Sequence, residues 1–234
     1  MKSLGFYQRM KLLDTGSGNT KIKKTNTNGE QIRMAGLSLL PDDKLCPASK
    51  AAGCRATCLV VQGRGVFKNV IESRQNKVDY FNTYREEFLS HLVREITNFE
   101  ALCLKTGVKP VVRLNVMQDI AWERLGIVEK FPGVFFLDYT KRANRLGNMP
   151  ENYKLIFSYS GRKQYQAQVR EALKHDEPIA AVFRDKMPET FLGRPVVNGD
   201  ASDYLNVLAG PVVVGLVAKG AARKDTSGFV VDAG

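Results

Sequence analysis

The chain has 234 residues, of which 44% are hydrophobic and 25% charged, an ordinary globular mixture that buries a full core without disulfide staples. It holds no run of about eighteen apolar residues, which excludes a membrane-spanning helix. The opening Met1-Lys2-Ser3-Leu4-Gly5-Phe6 lacks the apolar stretch of a secretory signal, so the cysteines are expected as thiols or ligands in a reducing compartment.

The net charge is +11, enough to attract polyanions, and nucleic acid is an expected partner beside the simpler role of solubility. The densest basic cluster, Lys21-Ile22-Lys23-Lys24 with Arg33 after it, lies among the turn-rich runs 15–20 and 25–29. Residues 1–33 are therefore expected as a basic N-terminal extension, loops around a short extended piece, on a single domain spanning 34–234.

Leu37 to Leu40 is expected as a short buried strand ended by Pro41. Directly after it come three of the four cysteines, Cys46, Cys54 and Cys58, spaced C-x7-C-x3-C with Pro47 and Gly53 as turn residues. A helix starting near Cys54 or Cys58 would put those two on one face, with Cβ atoms about 6 Å apart, while Cys46 approaches from the loop. Three thiolates from one loop make a metal or cluster site with one corner open.

Structural zinc wants four ligands, commonly from paired cysteines. His91 and His175 stand alone, so zinc would need Cys103 or an acidic residue as its fourth ligand. A four-iron [4Fe-4S] cluster suits the trio better, because three thiolates leave one iron free for a small-molecule ligand.

Lys68 to Lys105 reads as helix, with Tyr80, Tyr84, Phe88, Leu92, Ile96, Phe99 and Cys103 forming an apolar stripe. Cys103 on that stripe is expected in the core. Beyond it, apolar runs at 111–116, 134–140, 154–160, 179–183, 195–197 and 211–217 alternate with helix-like stretches at 118–129, 162–174 and 201–208. That alternation predicts an α/β fold with a parallel sheet covered by helices, a partial or distorted (βα) barrel.

Strand phase pairs Arg113 with Asn115, Asp138 with Thr140 and Ser158 with Ser160, each pair on one face at a C-terminal strand tip. In parallel barrels the site lies at those tips, so the cysteine loop is expected to face them. Asp119, Lys141, Asp200, Asp203 and Lys219 join as binding candidates, with helix capping the ordinary use of an acidic or hydroxyl residue near 200–203.

A cysteine loop after the first strand of a parallel barrel resembles radical-SAM enzymes, where S-adenosylmethionine occupies the open iron. The spacing here departs from that family's x3 and x2, and Asn115-Val116-Met117-Gln118-Asp119 stands where its Gly-Gly-Glu element would. S-adenosylmethionine thus remains an open alternative.

A second resemblance rests on several phrases together. They are Cys46-Pro47, Cys54 and Cys58; Arg113-Leu114-Asn115 with Asp119; Asp138-Tyr139-Thr140-Lys141-Arg142; Gly199-Asp200 with Asp203; Ala218-Lys219-Gly220; and Gly228-Phe229. Over roughly residues 37–230 the chain resembles a bacteriophage family named after gene product 88. The resemblance implies a phage origin, hence the cytoplasm of an infected host cell, and one site uniting the trio with the strand tips. The alternative is a basic nucleic-acid-binding phage protein with a structural zinc or cluster site. Neither reading fixes a reaction or an oligomeric state.

Overall fold

Short Val-, Ile- and Phe-rich runs cannot leave either face to water, so they assemble side by side between two covering layers. The computed structural model describes residues 2–16, 22–23, 26, 29, 31–55, 57–58 and 63–232. In chain order the strands are β1 (Leu13–Asp14), β2 (Ile32–Leu37), β3 (Lys109–Arg113), β4 (Phe135–Thr140) and β5 (Tyr153–Ser158). They continue as β6 (Ile179–Phe183), β7 (Thr190–Phe191), β8 (Arg194–Asn198), β9 (Val213–Val217) and β10 (Val230–Val231). The sheet order is β1-β2-β3-β4-β5-β6-β9-β8-β7, with β10 also paired to β6.

All neighbours from β2 to β8 are parallel, while β1 and β7 join antiparallel at the two edges. The α/β class follows the sequence. The sheet is open between those edges, so a partial barrel is the most it forms.

The helices are α1 (Leu4–Gln8), α2 (Ser49–Ala52), α3 (Lys68–Thr83), α4 (Arg85–Lys105), α5 (Gln166–Ala172) and α6 (Asp203–Leu208). The larger core lies on one face, where Tyr80, Phe88, Leu92, Ile96, Phe99 and Cys103 meet Val112, Phe136, Leu155 and Ile179. Cys103 is fully buried there. The other face packs Met34, Val111, Leu137, Ile156 and Val214 against Val207 of α6. None of the described helices is long and apolar enough to cross a membrane.

Residues 2–16 are built onto the helical layer: Tyr7 stacks on Tyr80 with ring centroids 5.2 Å apart. Glu95 of α4 accepts the backbone N–H groups of Leu12 and Leu13, both at 2.8 Å. The turn-rich stretch 17–20 and most of 24–30 lie outside the described residues.

Three local expectations are corrected. The first strand forms at Ile32–Leu37, ahead of 37–40, because the N–H of Leu39 leaves the ladder for Gln118 Oε1 at 3.1 Å. No helix begins at Cys54, and the stretch 59–62 after Cys58 lies outside the described residues. Gly53, at φ +76°, ends α2 in the left-handed conformation, and Cys54 and Arg55 continue as a turn, so Cys54 and Cys58 share no helical face. The stretch 118–129 is two 3-10 turns, Trp122–Arg124 and Val128–Lys130. Asn115 Oδ1 takes the N–H of Ile120 at 2.9 Å, and Gly126 at φ +63° separates the two turns.

Candidate functional site

The site begins where β5 leaves β6. Those strands pair only at Phe157 with Ile179 and Ser158 with Ala180, and beyond that β10 takes the place beside Val182 and Phe183. Around this junction, at the C-terminal tips of the parallel strands, opens a cavity of about 500 Å³. That is the position at which open parallel sheets bind ligands.

Cys46, Cys54 and Cys58 all line the cavity, from the loop after β2. The strand tips contribute Arg113 and Asn115, then Thr140 and Lys141, then Ser158, while Asp119 comes from the loop after β3. Asp200 and Lys219 also line it, joined by an ion pair of 2.6 Å. Loop and tips therefore meet as expected. Asp138, Ser160 and Asp203 do not line the cavity.

Those three have other work. Ser160 Oγ donates to the carbonyl of Ala52 at 2.7 Å, fixing the end of α2. Ser227 Oγ donates to Gly53 O at 3.2 Å and Arg162 Nη1 to Lys50 O at 3.0 Å, so three side chains distant in sequence clamp the cysteine loop.

Asp138 is fully buried and takes the N–H of Asn115 at 2.6 Å and the Tyr153 hydroxyl at 2.7 Å. Burial pushes its carboxyl up to about 7, against the pull of those hydrogen bonds. Asp203 pairs with Arg113 at 2.5 Å and accepts from the Tyr139 hydroxyl at 2.9 Å, holding α6 to the sheet.

Asp119 is likewise occupied. Arg145 Nη1 reaches it at 2.7 Å, Thr140 Oγ1 at 2.9 Å and the Lys141 N–H at 3.0 Å. Arg145, 1% exposed, also grips Glu123 through Nε at 2.9 Å and Nη2 at 2.8 Å. Sequence reasoning missed Arg145, Glu123 and Tyr153. Arg145, three residues after Arg142, stood just beyond a phrase already singled out.

Lys141 differs from these. Its Nζ donates to Ser158 Oγ at 2.7 Å and stands 5.1 Å from the centroid of the Phe229 ring. Among the described residues it forms no ion pair.

The thiols rest against backbone: Cys46 Sγ donates to Met117 O at 3.6 Å and Cys54 Sγ to Ser49 O at 3.8 Å. Burial, then the Asp119 carboxylate, pushes the Cys46 thiol up to about 12 against the pull of the Lys141 ammonium, with Cys54 and Cys58 adding to the rise. Among the described residues no three His, Cys, Asp or Glu side chains stand close enough to hold a single metal ion.

Fold and site together define an open, mostly parallel α/β protein with a cysteine-lined cavity at its strand tips. The profile of the Gene product 88 family matches residues 10–233, and the chain belongs to that bacteriophage family. No curated protein and no solved structure matches it.

Proposed function

We propose that this chain is an iron–sulfur protein, in which Cys46, Cys54 and Cys58 hold a four-iron cluster whose open iron meets a small molecule in the cavity. One observation carries the reading: three of the four cysteines line the cavity at the strand tips, whereas the fourth, Cys103, is core. The donor set is all sulfur, which suits iron–sulfur clusters or zinc.

When bound, such a cluster would supply one-electron chemistry or a Lewis-acidic iron. The chain's own part is separate. The Ser160, Ser227 and Arg162 clamp positions the loop, and the Asp119–Arg145 network stiffens the facing tips. A radical-SAM-like reaction is one use of such a site.

The test is anaerobic reconstitution with iron and sulfide, followed by metal and sulfide analysis. The expected product is brown, bleaches with dithionite and carries on the order of four irons per chain. Iron content should fall in Cys46→Ala, Cys54→Ala and Cys58→Ala but not in Cys103→Ala. Colourless protein with stoichiometric zinc, or iron retained in the triple variant, would overturn the reading.

A further inference from the structure

We infer that the cavity binds an organic monocarboxylate with an apolar body, its carboxylate held by Lys141 and Ser158. This names the ligand class of the site proposed above, but it stands on the cavity alone and survives if no cluster forms.

The charge balance of the lining comes first. Arg113 is neutralised by Asp203, and Lys219 by Asp200. Arg55 pairs with Asp43. Asp119 faces Arg145, which it shares with Glu123, and Arg142 at 3.7 Å, while Asp42 turns Oδ1 to the N–H groups of Lys44 and Leu45 at 2.8 and 2.7 Å. Among the described residues Lys141 is the lining cation without an anionic partner. A half-buried ammonium against a mainly apolar wall favours one negative charge from a ligand.

The donor geometry narrows the ligand. Lys141 Nζ spends one proton on Ser158 Oγ at 2.7 Å and keeps others to give. The Ser158 hydroxyl accepts that bond, so its own proton is free to point the same way. Ammonium and hydroxyl side by side offer two donors to the two oxygens of a carboxylate. A phosphate dianion would bring a second charge that no lining cation answers.

Much of the remaining wall is apolar. Val182, Leu216, Val217, Ala218, Ala222 and Phe229 line the cavity, and Phe229 stands beside the ammonium. Small-ligand sites combine such walls with a few convergent polar groups.

The test uses the full-length chain freed of metal by chelation, titrated calorimetrically with 4-phenylbutyrate, 4-phenylbutanamide and phenyl phosphate. The carboxylate should bind about tenfold tighter than the amide, and tighter than the phosphate. Lys141→Met should remove that preference and Ser158→Ala should reduce it. Equal binding of acid and amide, tighter binding of the phosphate, or an unchanged preference in both variants overturns the inference. So does a Lys141→Met chain that loses only iron loading, which would make Lys141 a counter-ion to the cluster. Because every titration is metal-free, failure of the cluster reading leaves these outcomes intact.

Discussion

Ser160 donates its hydroxyl proton to the carbonyl of Ala52 at 2.7 Å, across 108 residues of sequence. The bond ties the loop after β5 to the helical turn between Cys46 and Cys54, and its serine is fully buried. Ser160→Ala should leave that carbonyl unpaired and cost about 1 kcal/mol. Amide exchange at Gly53 and Cys54 should quicken while exchange in α4 stays unchanged. Equal rates at Gly53 in both proteins would remove Ser160 from its positioning role.

Gly53 offers a complementary test. Its φ of +76° penalises any side chain, and a methyl there would stand 2.5 Å from Arg162 Cδ and 2.9 Å from Ser227 Oγ. Gly53→Ala should destabilise by about 1–2 kcal/mol. Adding Arg162→Ala should relieve the steric part but not the backbone part, giving a coupling in a double-mutant cycle. Strict additivity would show that the loop gives way elsewhere.

The Asp119–Arg145–Glu123 network predicts a larger loss. Arg145→Met would leave buried Asp119 and half-buried Glu123 without their shared cation, with only Arg142 Nε at 3.7 Å from Asp119, costing about 3 kcal/mol. Arg145→Lys should recover little, because an ammonium cannot reproduce the fork that reaches Glu123 and Asp119 together. Chemical denaturation measures both, and full stability in the lysine variant would contradict the account.

Lys77 gives a pH signature. It is 8% exposed, its Nζ donates to Leu12 O at 2.8 Å, and burial pulls it from 10.5 down to about 8. Glu95 and Asp14 oppose that shift, while Arg74 and Lys11 add to it. Between about 8 and 10.5 the unfolded chain binds more protons at this position, so its contribution to stability rises with pH there. Below about 8 the cost of burying the charge is fully present. Wild type minus Lys77→Met, followed by denaturation from pH 7 to 10.5, should show that rise, at most on the order of 3 kcal/mol. A flat difference would mean the lysine is solvated in the folded chain.

β4, β5, β6 and β9 were readable from apolar runs such as Phe135-Phe136-Leu137 and Leu155-Ile156-Phe157, and the stripe from Tyr80 to Cys103 because helical spacing repeats over many turns; the short β7 and β10 carry no such run. The meeting of the cysteine loop with the strand tips was readable from strand direction alone. Alternation failed where strands stop. Ser158 and Ser160 share a phase, but β5 ends at Ser158, so one serine meets Lys141 and the other meets Ala52. Asp138 went astray for a different reason: its partners are Asn115, just past the end of β3, and Tyr153 on β5, brought to it by how the neighbouring segments lie beside β4. The helix expected at Cys54 failed on Gly53, whose left-handed backbone ends α2 just before it.

The short strand β10 completes the cavity beside β6, and Ser227, just ahead of it, holds Gly53 across 174 residues. The cysteines are made early in synthesis, but their binding wall is closed by a segment made near residue 230. A chain still short of this segment lacks the Ser227 bond at Gly53 and leaves the cysteine loop to Ser160 and Arg162 alone. The cavity wall and the last tie on the cysteine loop are then completed together, timed by the arrival of the final strand.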